Sequence, residues 1–260
     1  MTPLGRPLYE RVILITRPEP RNAELKRKLE ALGARVEARP TIALEAPADF
    51  GPPERALRRL DDYDWLLFTS PSGVRFFLLL AQRFLGKLPR IRGSIAAVGP
   101  ATGSALRAAG LRPAVVAGRS SAEGLAEAVE GRLRRGHRVL QVRPEEAREV
   151  LPEALRAAGA IVDSVPFYRN VAARDVPRIA RDIRRELFDA IVFTSPSTLL
   201  RLLEGAAREG IEIVDAMRRT KLVAIGEITA TALADAGLTT HAVAEKPSDD
   251  GIAQAVTGLF

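Results

Sequence analysis

Two stretches of the sequence repeat almost letter for letter, and both suit the display of backbone amides and hydroxyls to an anion. Phe68-Thr69-Ser70-Pro71-Ser72-Gly73 follows the apolar run from Trp65, and Phe193-Thr194-Ser195-Pro196-Ser197-Thr198 follows the one from Ala190. In each, the serine fits a helix N-cap and the proline fits the first helical position, where no N–H is required. The N–H groups of Ser72 and Gly73 then sit at the positive end of a helix dipole with the Thr69 and Ser70 hydroxyls beside them, a place for a carboxylate or phosphate. Ser195, Ser197 and Thr198 repeat the arrangement. Plain capping accounts for either copy alone; two copies with extra hydroxyls favour binding.

A second pair, Val98-Gly99-Pro100-Ala101-Thr102-Gly103 and Ile225-Gly226-Glu227-Ile228-Thr229, offers the same chemistry with glycine in place of the cap. Glycine permits close approach of a ligand to the backbone. Neither copy carries the Gly-Lys-Ser/Thr of a Walker loop or a dinucleotide fingerprint. Glu227 repels an anion, so Gly99, Ala101 and Thr102 are the favoured copy. In a third pair, Ser121 and Ser248 read as N-caps with acidic residues behind them, their N–H and hydroxyl open to a ligand. Arg17 and Arg143 each end an apolar run and precede a proline. Each is either an ion pair at a strand end or a guanidinium aimed at a ligand carboxylate. Tyr168 is one of three tyrosines, either packed or donating into a cleft.

No covalent nucleophile accompanies these residues. There is no Gly-x-Ser-x-Gly and no cysteine, which excludes thiolate catalysis, disulfides, iron–sulfur clusters and thiolate zinc. His137 and His241 lack ligand-like spacing, so no transition-metal site is expected. The 260 residues carry 47% hydrophobic and 27% charged residues and a net charge of +7. That composition is globular, not disordered. The basicity is mostly arginine, with lysine only at 26, 28, 87, 221 and 246, while Asn and Gln are scarce. This pattern points to a thermophile; an anionic partner is the functional explanation of the same excess. No signal-like start and no run of roughly 18 apolar residues is present, so the expectation is a cytoplasmic chain without a membrane span.

The elements that must position these residues repeat as well. Arg17 aligns with Arg143, Ser70 with Ser195, Gly99 with Gly226 and Ser121 with Ser248, four collinear matches at nearly one offset. The chain reads as an internally duplicated α/β unit. Strands are predicted at 12–16, 35–38, 65–69, 94–98, 114–117, 138–142, 161–165, 189–194, 221–225 and 240–243. Helices are predicted at 20–32, 72–85, 101–109, 121–134, 146–158, 175–186, 197–208, 228–236 and 249–258. Strands apolar on both faces, alternating with amphipathic helices, imply parallel sheets covered on both sides, the flavodoxin-like pattern. The proline-bearing stretches 38–54 and 164–177 break the pattern and read as extended connections. Each half could fold on itself, or the first strand–helix–strand module could join the C-terminal half.

Taken together, ITRP, FTSPSGV, AVGPATGSAL, VRPEE, VPFYRN, FTSPSTL, AIGEITATAL and KPSDDGIAQAV resemble uroporphyrinogen-III synthases over nearly the whole chain. The resemblance implies two flavodoxin-like lobes joined by a two-stranded connector near 39–47 and 164–173. One lobe would be 1–38 with 174–260, the other 39–173. It implies a small-molecule substrate, the linear tetrapyrrole polycarboxylate hydroxymethylbilane. This substrate would be closed in a cleft between lobes with loss of water and inversion of its last ring, without cofactor or metal. Tyr168 matches the family's connector tyrosine and is expected to be catalytic, protonating the leaving hydroxyl. Thr102 and Thr229 match hydroxyls that hold carboxylates or water. The substrate-binding set is then Arg17, Thr69, Ser70, Ser72, Gly73, Gly99, Ala101, Thr102, Ser121, Arg143, Ser195, Ser197, Thr198, Gly226, Ile228, Thr229 and Ser248. Glu227 in place of Pro100, and Thr198 in place of Gly73, imply unequal contributions from the two copies. A monomer is expected. The alternatives are a non-enzymatic bilobal binder of an anionic metabolite and, behind it, a nucleic-acid binder, which the low aromatic content of 5% disfavours.

Overall fold

A computed structural model of the chain describes residues 5–18, 22–87, 90–147 and 149–260. The first part of the chain carries β1 (Val12–Ile15), α1 (Ala23–Ala31), β2 (Arg35–Ala38) and β3 (Ile42–Glu45). Then come α2 (Gly51–Arg58), a 3-10 turn at Leu60–Asp62, β4 (Trp65–Phe68), α3 (Pro71–Leu85), β5 (Ser94–Ala97) and α4 (Pro100–Ala108). These are followed by β6 (Val115–Val116), α5 (Ala122–Glu130), β7 (Arg138–Pro144), α6 (Val150–Ala157) and β8 (Ile161–Ala172). The remainder is α7 (Val176–Arg184), β9 (Ala190–Phe193), α8 (Pro196–Arg208), α9 (Val214–Arg219), β10 (Lys221–Ala224), α10 (Glu227–Asp235), β11 (Ala242–Val243) and α11 (Asp249–Thr257).

The chain divides into two compact units, residues 1–43 with 171–260 and residues 44–170. The first holds a five-stranded sheet in the order β11-β10-β9-β1-β2, so the opening module β1-α1-β2 joins the C-terminal strands. The six-stranded sheet runs β3-β8-β7-β4-β5-β6. Strands β3 and β8 are neighbours there, and each carries the chain from one unit to the other. The strand pairs from β8 through β6, and from β2 through β11, are parallel.

Both sheets are buried on both faces, and the two-residue period of a strand shows it. In β4, Leu66 and Phe68 enter a cluster with α2, α3 and α4, while Trp65 and Leu67 enter another with α5 and α6. In β9, Ile191 and Phe193 face α7, α8, α9 and α10, while Ala190 and Val192 face α1 and α11. The α/β architecture with parallel sheets is the one anticipated. No helix among the described residues is long and apolar enough to cross a membrane.

Several element boundaries differ from the sequence expectation. The stretch 38–54 is not extended throughout: it contains the extended β3 but also the start of α2. Pro52 and Pro53 stand in the first turn of α2, where proline begins a helix instead of breaking one. Helix α9 was not anticipated; it is six residues long, too short to show a period. Helix α5 stops at Glu130, and Arg132, Arg134 and Arg135 lie beyond it. The helix expected over 20–32 begins at Ala23, and residues 20 and 21 lie outside the described residues, as does residue 148 in the helix expected over 146–158. Strand β8 is far longer than 161–165, running through most of the second proline-bearing stretch.

Core packing yields a direct test. Phe77 is fully buried, with ring contacts to Phe68 at 5.3 Å and to Phe167 at 5.5 Å. Phe77→Ala is expected to cost about 3–5 kcal/mol, read as a lowered midpoint in urea denaturation.

Candidate functional site

Parallel strands bring all their carboxyl ends to one edge of the sheet, and the helix following each strand begins there. In the 44–170 unit this edge receives Thr69–Gly73 after β4, Gly99–Thr102 after β5, Ser121 beyond β6 and Arg143 near the end of β7. In the other unit it receives Arg17 after β1, Ser195–Thr198 after β9, Gly226–Thr229 after β10 and Ser248 beyond β11.

Helix α3 is capped by Ser70, whose Oγ accepts the Gly73 N–H at 2.9 Å. The Gly73 amide, expected to be free for a ligand, is thereby occupied. Ser121 and Ser248 likewise accept the amides of Gly124 at 3.0 Å and Gly251 at 3.1 Å. Their own N–H groups, also expected to be open, donate to Arg119 O at 2.9 Å and Lys246 O at 2.7 Å. Pulling the loop back on itself in this way leaves only the seryl protons for a ligand.

The second helical position behaves differently. Among the described residues, the amides of Ser72, Ala101, Ser197 and Ile228 have no hydrogen-bond acceptor. The first helical residue is proline in α3, α4 and α8, so no neighbouring N–H competes there. Ile228 is 68% exposed, an apolar side chain held open beside its amide. At the third position, the Thr198 and Thr229 amides turn back to Ser195 O at 3.2 Å and Gly226 O at 3.0 Å. Thr102, Thr198 and Thr229 are all buried. Thr69 Oγ1 donates to Val142 O at 3.3 Å, and Thr198 Oγ1 donates to Ser195 O at 2.8 Å.

The two glycine turns share an extended backbone but not a reason for glycine. At Gly99 a Cβ would overlap the Ser120 hydroxyl; at Gly226 it would meet nothing within 4 Å. Ser120 is a neighbour that the sequence did not single out.

The arginines are both engaged within their own units. Arg17 donates to Asp249 Oδ1 at 2.7 Å in the first turn of α11, and Arg143 donates to Glu149 Oε1 at 2.6 Å just before α6. Each keeps a buried Nε without a partner. Only part of either guanidinium is therefore spent, and the unpaired nitrogen is the part left for another acceptor.

Tyr168 lies on β8 beside these helices. It is 6% exposed, its ring stacks on Phe76 at 5.4 Å with planes 10° apart, and its OH lies 2.8 Å from Ser70 Oγ. A register shift places it there. Arg143 pairs with Pro166, but Pro144 pairs with Tyr168, so Phe167 is an extra residue in the ladder. Successive strand residues ordinarily face opposite sides, yet Phe167 and Tyr168 enter the same core cluster. Burial pushes the phenol pKa above its ordinary value, and the Ser70 hydrogen bond only partly offsets that. Sequence reasoning found Tyr168 but missed Phe76, Phe167 and the bulge. The available signal was Val-Pro-Phe-Tyr, where two adjacent aromatics break the alternation of a strand. Among the described residues, no group of three or more His, Cys, Asp or Glu side chains could hold a metal ion.

Comparison with known proteins adds an independent finding. Residues 23–254 match the family described as uroporphyrinogen-III synthase HemD. A putative uroporphyrinogen-III synthase of Methanothermobacter thermautotrophicus is 34% identical over 86% of this chain and 89% of its own length. A uroporphyrinogen-III synthase of Synechococcus elongatus is 31% identical over 75% of this chain and 74% of its own. Among solved structures, the uroporphyrinogen-III synthetase of Helicobacter pylori shares the fold with a TM-score of 0.61 at 17% identity, covering 96% of this chain and all of that one. A mutant uroporphyrinogen-III synthase of Thermus thermophilus shares it with a TM-score of 0.58 at 24% identity, covering 95% of this chain and 97% of that one.

The capping geometry gives a stability test. Ser121→Ala and Ser248→Ala are each expected to cost about 1 kcal/mol in chemical denaturation. Ser195→Ala is expected to cost less, because Ser195 makes no side-chain cap bond.

Proposed function

The chain belongs to the uroporphyrinogen-III synthase family, and on that premise we propose how its own residues carry out the reaction. It is a cyclising lyase that closes hydroxymethylbilane to uroporphyrinogen III with loss of water and inversion of the last ring. The family assignment favours this enzyme over a non-catalytic binding protein. We propose that it acts as a soluble, cytoplasmic monomer.

In the proposed mechanism, carboxylates of the substrate accept hydrogen bonds from the second amides of the helices, at Ser72, Ala101, Ser197 and Ile228. The hydroxyls of Thr69 and Ser197 lie in the same short segments and supplement them, directly or through water. The spare donor edges of Arg17 and Arg143 take further carboxylates. A fixed amide costs little reorganisation when it binds charge, so these donors hold one folded conformer of a flexible chain. The conformer must favour attack by the substituted carbon of the last ring, giving a spiro intermediate, over the direct closure that yields the uninverted isomer.

Tyr168 supplies the proton to the leaving hydroxyl. The observation that carries this assignment is the buried phenol with its 2.8 Å hydroxyl partner at the start of α3. Burial keeps the phenol protonated, the form a general acid needs at neutral pH. The sign of the pH dependence follows. With its pKa raised by burial, the phenol keeps its proton beyond the ordinary tyrosine range, so the neutral range of the kcat profile carries no Tyr168 limb.

Incubation with freshly made hydroxymethylbilane, followed by oxidation and chromatography of the porphyrins, is expected to give the type III isomer. Formation of the type I isomer alone, at the spontaneous rate, would refute the activity. Tyr168→Phe is expected to lower kcat by about 10²–10⁴-fold while the chain stays folded. Near-normal turnover with the same isomer would remove Tyr168 from the mechanism.

A further inference from the structure

We propose that Ser70 is the second hydroxyl of the proton donor, passing the Tyr168 proton on to the leaving oxygen of the substrate. The inference rests on the reading of Tyr168 as the acid. Tyr168 is almost fully buried, whereas Ser70 is only half-buried. Among the described residues, the hydrogen-bond partner of the phenol oxygen is Ser70 Oγ.

The valence of a serine hydroxyl sets the direction of transfer. It has one proton to give and two lone pairs to fill. The Gly73 N–H fills one lone pair at 2.9 Å, and the Tyr168 O–H at 2.8 Å can fill the other. In that state Ser70 has only its proton left to offer, and it offers it from the less buried member of the pair. The other unit lacks this arrangement. Ser195 Oγ meets Ser197 Oγ at 2.9 Å, with no phenol behind it and no amide capped. The stack on Phe76 and the bulge in β8 fix the ring, so the phenol oxygen is held to this partner.

The step balances without a further reagent. The carbon–oxygen bond of the hydroxymethyl group breaks with its electron pair going to oxygen, and that oxygen takes the Ser70 proton. Ser70 Oγ takes the phenolic proton as it gives up its own. The C–H proton released when the macrocycle finally closes restores the phenol, and one water is lost overall.

Ser70 also caps a helix, so the test must separate the two roles. Asparagine caps about as well as serine but has no hydroxyl, while threonine keeps both functions. With folding checked by circular dichroism, Ser70→Asn is expected to lose about 10²-fold in kcat with little change in KM. Ser70→Thr is expected to recover at least tenfold over Ser70→Asn. A proton inventory in mixed light and heavy water is expected to be curved for the unaltered enzyme, with more than one proton moving, and linear for Ser70→Asn. Recovery of full turnover in Ser70→Asn but not in Ser70→Ala would make Ser70 only a cap and overturn the proposal. A loss in Ser70→Thr as deep as in Ser70→Asn would overturn it too. A fast Tyr168→Phe enzyme would bring down the Tyr168 assignment and the relay with it; a slow Tyr168→Phe enzyme beside a fast Ser70→Asn enzyme would remove the relay alone.

Discussion

An α-helix leaves its first amides without partners inside the helix, and a parallel sheet gathers many such beginnings at one edge. Everything at this protein's candidate site is a solution to that constraint. Some amides are answered locally: Gly73 by Ser70, Gly124 by Ser121, Gly251 by Ser248. Others are removed, since proline occupies the first position of α3, α4 and α8. In α3, α4, α8 and α10 the amide at the second position survives, fixed in direction and backed by a dipole. Among the described residues, the buried side-chain polar atoms left without a partner are all arginine nitrogens, donors and not acceptors.

Much of this was legible in the sequence, and the reasons for the rest are physical. The buried strands announced themselves because Trp65–Phe68 and Ala190–Phe193 are apolar on both faces. The N-caps of α3, α5 and α11 were legible because a serine before a helical period has one main use there. Sequence does not say which amide each cap takes, and so Gly73, free on the sequence pattern alone, is bound in the structure. Proline is ambiguous on its own: Pro52 and Pro53 open a helix, whereas Pro166 sits inside a long strand. The sequence leaves Arg17 and Arg143 between ion pair and ligand donor, and the fold adds the reason, placing Asp249 and Glu149 within reach while sparing one nitrogen of each.

The two units carry similar motifs with different local wiring. Ser70 reaches a phenol and an amide, but Ser195 reaches only another serine. Gly99 is crowded by Ser120, but Gly226 faces open space. The strand orders nonetheless correspond, β6-β5-β4-β7-β8 beside β11-β10-β9-β1-β2, so the motifs fall at equivalent edges.

The extra residue at Phe167 ties the direction of the Tyr168 phenol to an irregularity in the strand. Val165, Phe167 and Tyr168 all enter one core cluster, so strict alternation without the bulge would send Tyr168, three residues after Val165, to the opposite face of the sheet. Straightening β8 at that point, with the sequence unchanged, would turn the phenol away from Ser70.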